Sequence, residues 1–191
     1  MSARARRGAK AERAQEPRVE VEAVGDMRGK VGLYLGVVGA ILLVDLVTKV
    51  IAQRTLPPYQ PVPVLGDFFR LTYIYNPGAA FGLHLGDASR FIFLGLAVVA
   101  VVVLFLMYRS TPLDDRVRLW AICLVTGGAI GNVIDRIRSP RGVVDFFDFG
   151  IGAVRWPVFN VADIAVTCGA ILLAISLWRE DTSVKRDAEP S

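Results

Sequence analysis

Four apolar runs restrict this 191-residue chain more than any other feature. The first extends from Val31 to Val44 and on through Asp45 to Ile51; the others are Phe91–Tyr108, Val117–Ile134 and Val158–Trp178. Crossing ~30 Å of hydrocarbon takes about 20 helical residues. Each run reaches that length once its flanks are added, so lipid is the expected solvent and an even number of spans puts both termini on one side. Hydrophobic residues make up 53% of the sequence, more than an ordinary soluble domain carries. The first run resembles the core of a signal peptide, but no small-residue cleavage site follows it. It is expected to remain as a membrane helix.

The net charge is +4 and the pI near 9.3, a balance that elsewhere suggests nucleic acid. Here the basic residues sit at the chain ends and between the apolar runs, which is the pattern of membrane topology. The N-terminal tail, the Arg109–Arg118 loop and the C-terminus hold eight, three and three Lys or Arg, whereas the opposite loops hold about seven. Both termini are therefore expected in the cytoplasm. Residues 1–30 are charged and poor in large apolar side chains, too little to offset the entropy of ordering. The chain thus reads as a disordered cytoplasmic tail (1–30), a membrane body (31–180) and a short cytoplasmic C-terminal tail (181–191). Cys123 and Cys168 lie in apolar runs and read as small packing residues. With His84 as the one histidine and no His/Cys cluster, the ligands of an ordinary zinc site are missing.

The two outward loops, roughly 53–89 and 136–157, carry most of the unusual sequence. Phe68–Tyr75 is aromatic and β-branched and predicts a strand. Pro77-Gly78 breaks it, and Ala79–Leu85 is expected to form a short helix along the membrane surface. Val143–Phe149 and Val154–Phe159, around Gly150 and Gly152, suit two strands joined by a turn.

Charged side chains at membrane depth cost several kcal/mol unless they face protein or water, and here they cluster. Asp45 and Lys49, four apart, share one face of the first helix and suit an ion pair that lowers its own burial cost. Gly127 and Gly131, also four apart, let a neighbouring helix approach closely. Asn132, Asp135 and Arg136 share a face at the outward end of the third helix, where Arg136 could neutralise Asp135 and hold a backbone carbonyl. Asn160 and Asp163, three apart, face one way at the start of the fourth helix. Asp145 lies in the Val143–Phe149 segment, and Asp148 three residues on.

Two carboxylates sharing a site cannot both ionise cheaply, so one keeps its proton near neutral pH while the other remains a base. Such a pair can activate a water against a peptide carbonyl and return a proton to the leaving amine. Asp145 with Asp163 is one candidate pair; Asp148 and Asp135 are rivals for the partner's place, and the residues alone leave the choice open. Intramembrane Asp, Asn and Arg also mark ion pathways, so a small transporter or proton-conducting subunit is the alternative. That reading expects carboxylates near the bilayer midplane and broken helices.

The ordered blocks Asp45-x-x-Thr48-Lys49, Asn76-Pro77-Gly78-Ala79-Ala80-Phe81-Gly82, Gly128-Ala129-Ile130-Gly131-Asn132-x-x-Asp135-Arg136, Val143-Val144-Asp145-Phe146 and Phe159-Asn160-x-Ala162-Asp163 closely resemble the lipoprotein signal peptidase (signal peptidase II) family over about residues 33–178. The resemblance implies a four-helix membrane bundle with a small extracytoplasmic β-cradle and a short interfacial helix. It implies an aspartic endopeptidase of the bacterial inner membrane that cleaves prolipoproteins on the amino side of a diacylglyceryl-modified lipobox cysteine. By motif position, Asp145 and Asp163 match the catalytic pair. Asn76, Gly128, Asn132, Arg136 and Asn160 match the substrate-orienting set, and Asp45, Lys49 and Asp135 the structural support. The family uses no metal or organic cofactor. The expected partners are prolipoprotein substrates and membrane lipids, with no nucleic acid, for a monomeric enzyme whose site faces the extracytoplasmic interface.

Overall fold

In the computed structural model, which describes residues 3–77 and 89–188, the chain runs α1 (Ala3–Thr55), β1 (Pro61–Leu65), β2 (Phe69–Asn76), α2 (Ser89–Ser110), α3 (Arg116–Arg138), β3 (Val143–Ile151), β4 (Val154–Arg155) and α4 (Val161–Ala188). Four helical stretches among these residues are long and apolar enough to cross a membrane: Met27–Thr55, Phe91–Ser110, Arg116–Arg138 and Val161–Glu180. They match the four apolar runs, except that the fourth starts three residues after Val158. Phe159 is taken by a bridge to Phe147 of β3, so the helix opens only after Asn160. Large apolar side chains such as Leu43, Val99, Leu106 and Ile171 are exposed while Asp45 and Lys49 are buried. That inversion of a water-soluble bundle is what lipid as solvent selects.

The backbone is helical from Ala3, where Ala, Arg, Lys and Glu are strong helix formers and extend α1. The last helix likewise continues to Ala188. The short helix expected at 79–85 lies outside the described residues.

Glycines set how closely the helices approach. A Cβ on Gly127 would lie 2.9 Å from Ile41 Cδ1, and one on Gly131 would lie 2.8 Å from Asp45 Oδ2. This pair, at the spacing read from the sequence, therefore admits α1. Gly128 faces a different neighbour: a Cβ there would collide with the Ala162 carbonyl oxygen and sit 2.8 Å from Val166 Cγ2 of α4. Gly128 is thus a packing residue of the α3–α4 contact.

The four strands form one antiparallel sheet in the order β1-β2-β3-β4. Pro61 and Pro63 hide β1 from sequence reading, since proline is tolerated only where a strand lacks a partner on one side; β1 is such an edge. β2 and β3 carry a bulge: Arg70 pairs with Asp148 and Leu71 with Phe147, but the next pairs are Ile74 with Asp145 and Asn76 with Val143. One extra β2 residue is accommodated there, which re-aims the side chains beyond it. The sheet packs on the end of α1 through Ala52, Tyr73, Val144 and Phe146. A stack of Phe69 on Phe149 and Phe149 on Phe159, with ring centroids 4.5 and 5.8 Å apart, ties β2 and β3 to the chain entering α4.

Gly128→Ala should lower stability by about 1–3 kcal/mol through overpacking, seen as a lower melting temperature in detergent. Gly39→Ala, at a helical position with nothing within 4 Å, should not lower it.

Candidate active site

The first turn of α4 is built by a reciprocal cap. Asn160 Oδ1 accepts from the Asp163 backbone N–H at 3.0 Å, and Asp163 Oδ2 accepts from the Asn160 backbone N–H at 3.2 Å. This is capping-box geometry, with Asn and Asp in place of the usual Ser/Thr and Glu/Gln. The next N–H, that of Ala162, donates to Asp45 Oδ1 of α1 at 2.9 Å. Two otherwise orphaned N–H groups of the helix start are thereby satisfied, and a carboxylate sits at the positive end of the helix.

Asn160 also reaches across to β3. Its Nδ2 donates to Asp145 Oδ1 at 2.6 Å and to the Val144 carbonyl at 3.2 Å, while Asn76 Nδ2 donates to Asp145 Oδ2 at 3.0 Å. Asp145 is 1% exposed, whereas Asp163 is half-buried. Asp163 lines an apolar recess of about 230 Å³ with Trp156, Phe159, Ile164, Thr167 and Cys168. One carboxylate is therefore enclosed and its neighbour opens onto a space that a ligand could fill. Burial, and then the negative charge of Asp163, push the Asp145 carboxyl up to about 7, against the donors from Asn76 and Asn160 that favour its ionised form.

Asn132 of α3 completes the link to Asp163. Its Oδ1 accepts from Lys49 Nζ at 3.2 Å and Asn160 Nδ2 at 3.3 Å, which leaves its amide nitrogen to donate to Asp163 Oδ1 at 2.8 Å. Lys49 Nζ itself lies 2.7 Å from Asp45 Oδ2 and 2.7 Å from Asp135 Oδ2. The ion pair read from the i,i+4 spacing is therefore present, extended to a third helix residue. Arg136 does hold a backbone carbonyl, that of Asn132 at 3.2 Å. Asp135 also pairs with Lys49; the helical spacing of Asp135 and Arg136 could not reveal a partner from α1.

Of the two rivals, Asp135 is thus the counterion of Lys49, and its Oδ2 also accepts from the Val144 N–H at 3.4 Å. Asp148 is enclosed elsewhere, accepting from Arg70 Nη2 at 2.9 Å, Arg155 Nε at 2.8 Å and Thr72 Oγ1 at 2.7 Å. Burial opposes its ionised form, but the hydrogen bonds from Thr72, Arg155 and Arg70 outweigh it and hold this carboxyl below the usual range. Strand parity explains the separation: three residues apart on β3, Asp145 and Asp148 point to opposite faces. Arg70, Thr72 and Arg155, which pin the strand beside the site, carried no signal in the sequence because their partner is fixed by register. Cys123 is buried as expected, but Cys168 is an exposed free thiol on the recess wall. The positions 163, 164, 167 and 168 share a helix face, a periodicity that could have placed it there.

Membrane-length helices, with carboxylates and amides gathered in the first turn of α4, the last turn of α3 and the adjoining sheet, define an integral membrane protein with a buried acidic site. Comparison with known proteins narrows this class. A family model described as Signal peptidase (SPase) II matches residues 37–179. The lipoprotein signal peptidase of Moorella thermoacetica is 41% identical over 72% of this chain and 87% of its own length, and that of Geobacter metallireducens is 35% identical over 84% and 99%. A bacterial membrane enzyme solved by the in meso method at 2.3 Å resolution superposes with a TM-score of 0.72 at 31% identity, covering 84% of this chain and 96% of that one. The chain belongs to the signal peptidase II family. It is a multi-pass inner-membrane protease of lipoprotein processing.

Lys49→Met removes the cation shared by the buried Asp45 and the half-buried Asp135 and should cost about 3–5 kcal/mol, as for other broken buried pairs. The loss is expected as a lower denaturation midpoint in detergent, partly recovered when Asp45→Asn is added.

Proposed function

We propose that Asp145 and Asp163 are the catalytic dyad of an aspartic endopeptidase that removes the signal peptide from bacterial prolipoproteins, cutting on the amino side of a diacylglyceryl-modified cysteine. The observation that carries this reading is Asn160, which bonds to both carboxyls at once, through its amide to Asp145 and through its backbone N–H to Asp163. Asn76, Asn132, Arg136 and Asn160 hold the dyad and the substrate backbone. Asp45, Lys49 and Asp135 support them.

Asp145, enclosed and raised to about 7, is the member that keeps its proton; Asp163, at the recess, is the base. A water held between them gives a proton to Asp163 as its oxygen bonds to the scissile carbonyl carbon. Asp145 donates a hydrogen bond to the carbonyl oxygen, where negative charge develops. Collapse of the tetrahedral intermediate breaks the C–N bond, and the proton taken by Asp163 passes to the leaving amine. The recess beside Asp163 is lined mainly by apolar atoms and suits the small residues flanking a lipobox cysteine together with its lipid. Both carboxyls lie near helix ends, the depth at which a lipid-anchored cleavage site rests in the bilayer. The Lys and Arg distribution supports a topology with that face outside the cytoplasm and both charged tails inside. On this reading the peptidase body is 31–180.

The test is cleavage of a diacylglyceryl-modified lipobox peptide by purified protein whose folding is checked by melting. Asp145→Asn and Asp163→Asn should each lose about 100-fold or more while remaining folded. Asp148→Asn should instead lose stability and keep cleavage at low temperature. Full activity in either dyad variant would sink the assignment.

The wild-type rate should also decline as pH rises through about 7, where Asp145 loses the proton it needs. A pH–rate profile with no alkaline limb in that region would mean that Asp145 is not the acid.

A further inference from the structure

A second cavity, of about 430 Å³, lies where the ends of α1 and α3 meet β2 and the turn before β3, and it shares no lining residue with the recess at Asp163. Leu46, Val50 and Gln53 of α1 line one side at helical spacing, and Leu46 is 45% exposed, so this wall continues into the lipid-facing surface. Arg138 and Arg141 line the other side. Neither guanidinium has a carboxylate partner among the described residues. Lys49 and Asp135 also line the cavity, but they are paired with each other at 2.7 Å. Arg138 closes the membrane-length part of α3 and Gln53 lies just inside the end of that of α1, which sets the opening at the depth of lipid headgroups.

The basic side is a built feature. Arg141 Cζ lies 3.9 Å from the centroid of the Tyr75 ring, a cation–π contact that holds the guanidinium in place. Tyr75 is held in turn by Gln53, whose Nε2 donates to the phenol oxygen at 3.2 Å. The turn carrying Arg141 is locked by a bond from its own N–H to Ser139 Oγ at 3.2 Å and another from Gly142 N–H to the Ser139 carbonyl at 3.2 Å. Gly142 has φ +98°, and a Cβ there would strike the Asn76 backbone. Only glycine permits this close turn.

We propose that this cavity binds the phosphate of an anionic phospholipid, with its phosphoryl oxygens on the Arg138 and Arg141 guanidiniums and an acyl chain along Leu46 and Val50. Guanidinium forks match phosphate oxygens in geometry and charge, and basic pockets between membrane helices at the interface take up lipid headgroups. Two cations with no carboxylate partner among the described residues favour a lipid with net negative charge over a zwitterionic one, whose own ammonium they repel. The apolar wall favours a lipid over a free anion. The proposal is independent of the dyad assignment, since a diacylglyceryl thioether carries no phosphate.

Full-length protein in neutral detergent is titrated with dioleoyl phosphatidylglycerol, dioleoyl phosphatidylcholine and inorganic phosphate, with bound lipid read by native mass spectrometry and protection by melting temperature. Phosphatidylglycerol should bind and protect best. Arg138→Gln/Arg141→Gln should weaken it by about tenfold or more, at about fivefold per guanidinium, while Arg116→Gln/Arg179→Gln leaves it unchanged. Equal phosphatidylglycerol affinity in wild type and the Arg138/Arg141 variant overturns the site, and equal binding of phosphatidylcholine overturns the charge selection. Equal protection by inorganic phosphate at the same concentration overturns a lipid ligand. If the double variant does not fold, the single Gln variants carry the test, each with an intermediate loss expected.

Discussion

An ammonium group buried among helices that face lipid must find its counter-charges inside the protein, and Lys49 does so on two helices. It pairs with Asp45 on its own helix and Asp135 on α3, and it bonds to the Asn132 amide oxygen. Asp45 passes the constraint to α4 through the Ala162 N–H, and Asn132 passes it to the Asp163 carboxylate. The orientation of the Asn132 amide follows from this: with Lys49 and Asn160 donating to its oxygen, its nitrogen is the group left for Asp163. Removing the cation would therefore take the ammonium from two carboxylates and free the Asn132 amide to turn over, weakening its hold on Asp163.

The same physics treats two carboxylates of one strand in opposite ways. Asp148 meets two guanidiniums and a hydroxyl, and its charged form is favoured. Asp145 meets neutral amides and a neighbouring carboxylate inside a closed space, and its neutral form is favoured. Only three residues separate them, yet the alternation of a strand sends one to a clamp that holds the sheet and the other to the site. What each carboxylate can do is set by its surroundings.

Much of this was legible in the sequence wherever the signal is local. The spans follow from apolar length, the Asp45–Lys49 pair from its spacing, the α1 contact from Gly127 and Gly131, and β2 and β3 from aromatic and β-branched runs. What was not legible depends on residues distant in the chain. The partner of Asp135 comes from α1, the neighbour of Gly128 from α4, and the guanidiniums on Asp148 from β2 and β4. Strand β1 was hidden by its prolines, which are acceptable only because it has one neighbour.

The bulge in β2 bears on how this protein tolerates change in chain length. Arg70 and Asn76 are six residues apart and would share a face in a regular strand, yet Arg70 serves Asp148 and Asn76 serves Asp145 on the opposite face. The extra residue between Leu71 and Ile74 is what allows both. Deleting one residue there would leave every polar side chain of the site in the chain, but would turn Asn76 away from Asp145. For this strand, residue count is as much a part of the site as residue identity, and an insertion or deletion is a more severe lesion than most substitutions.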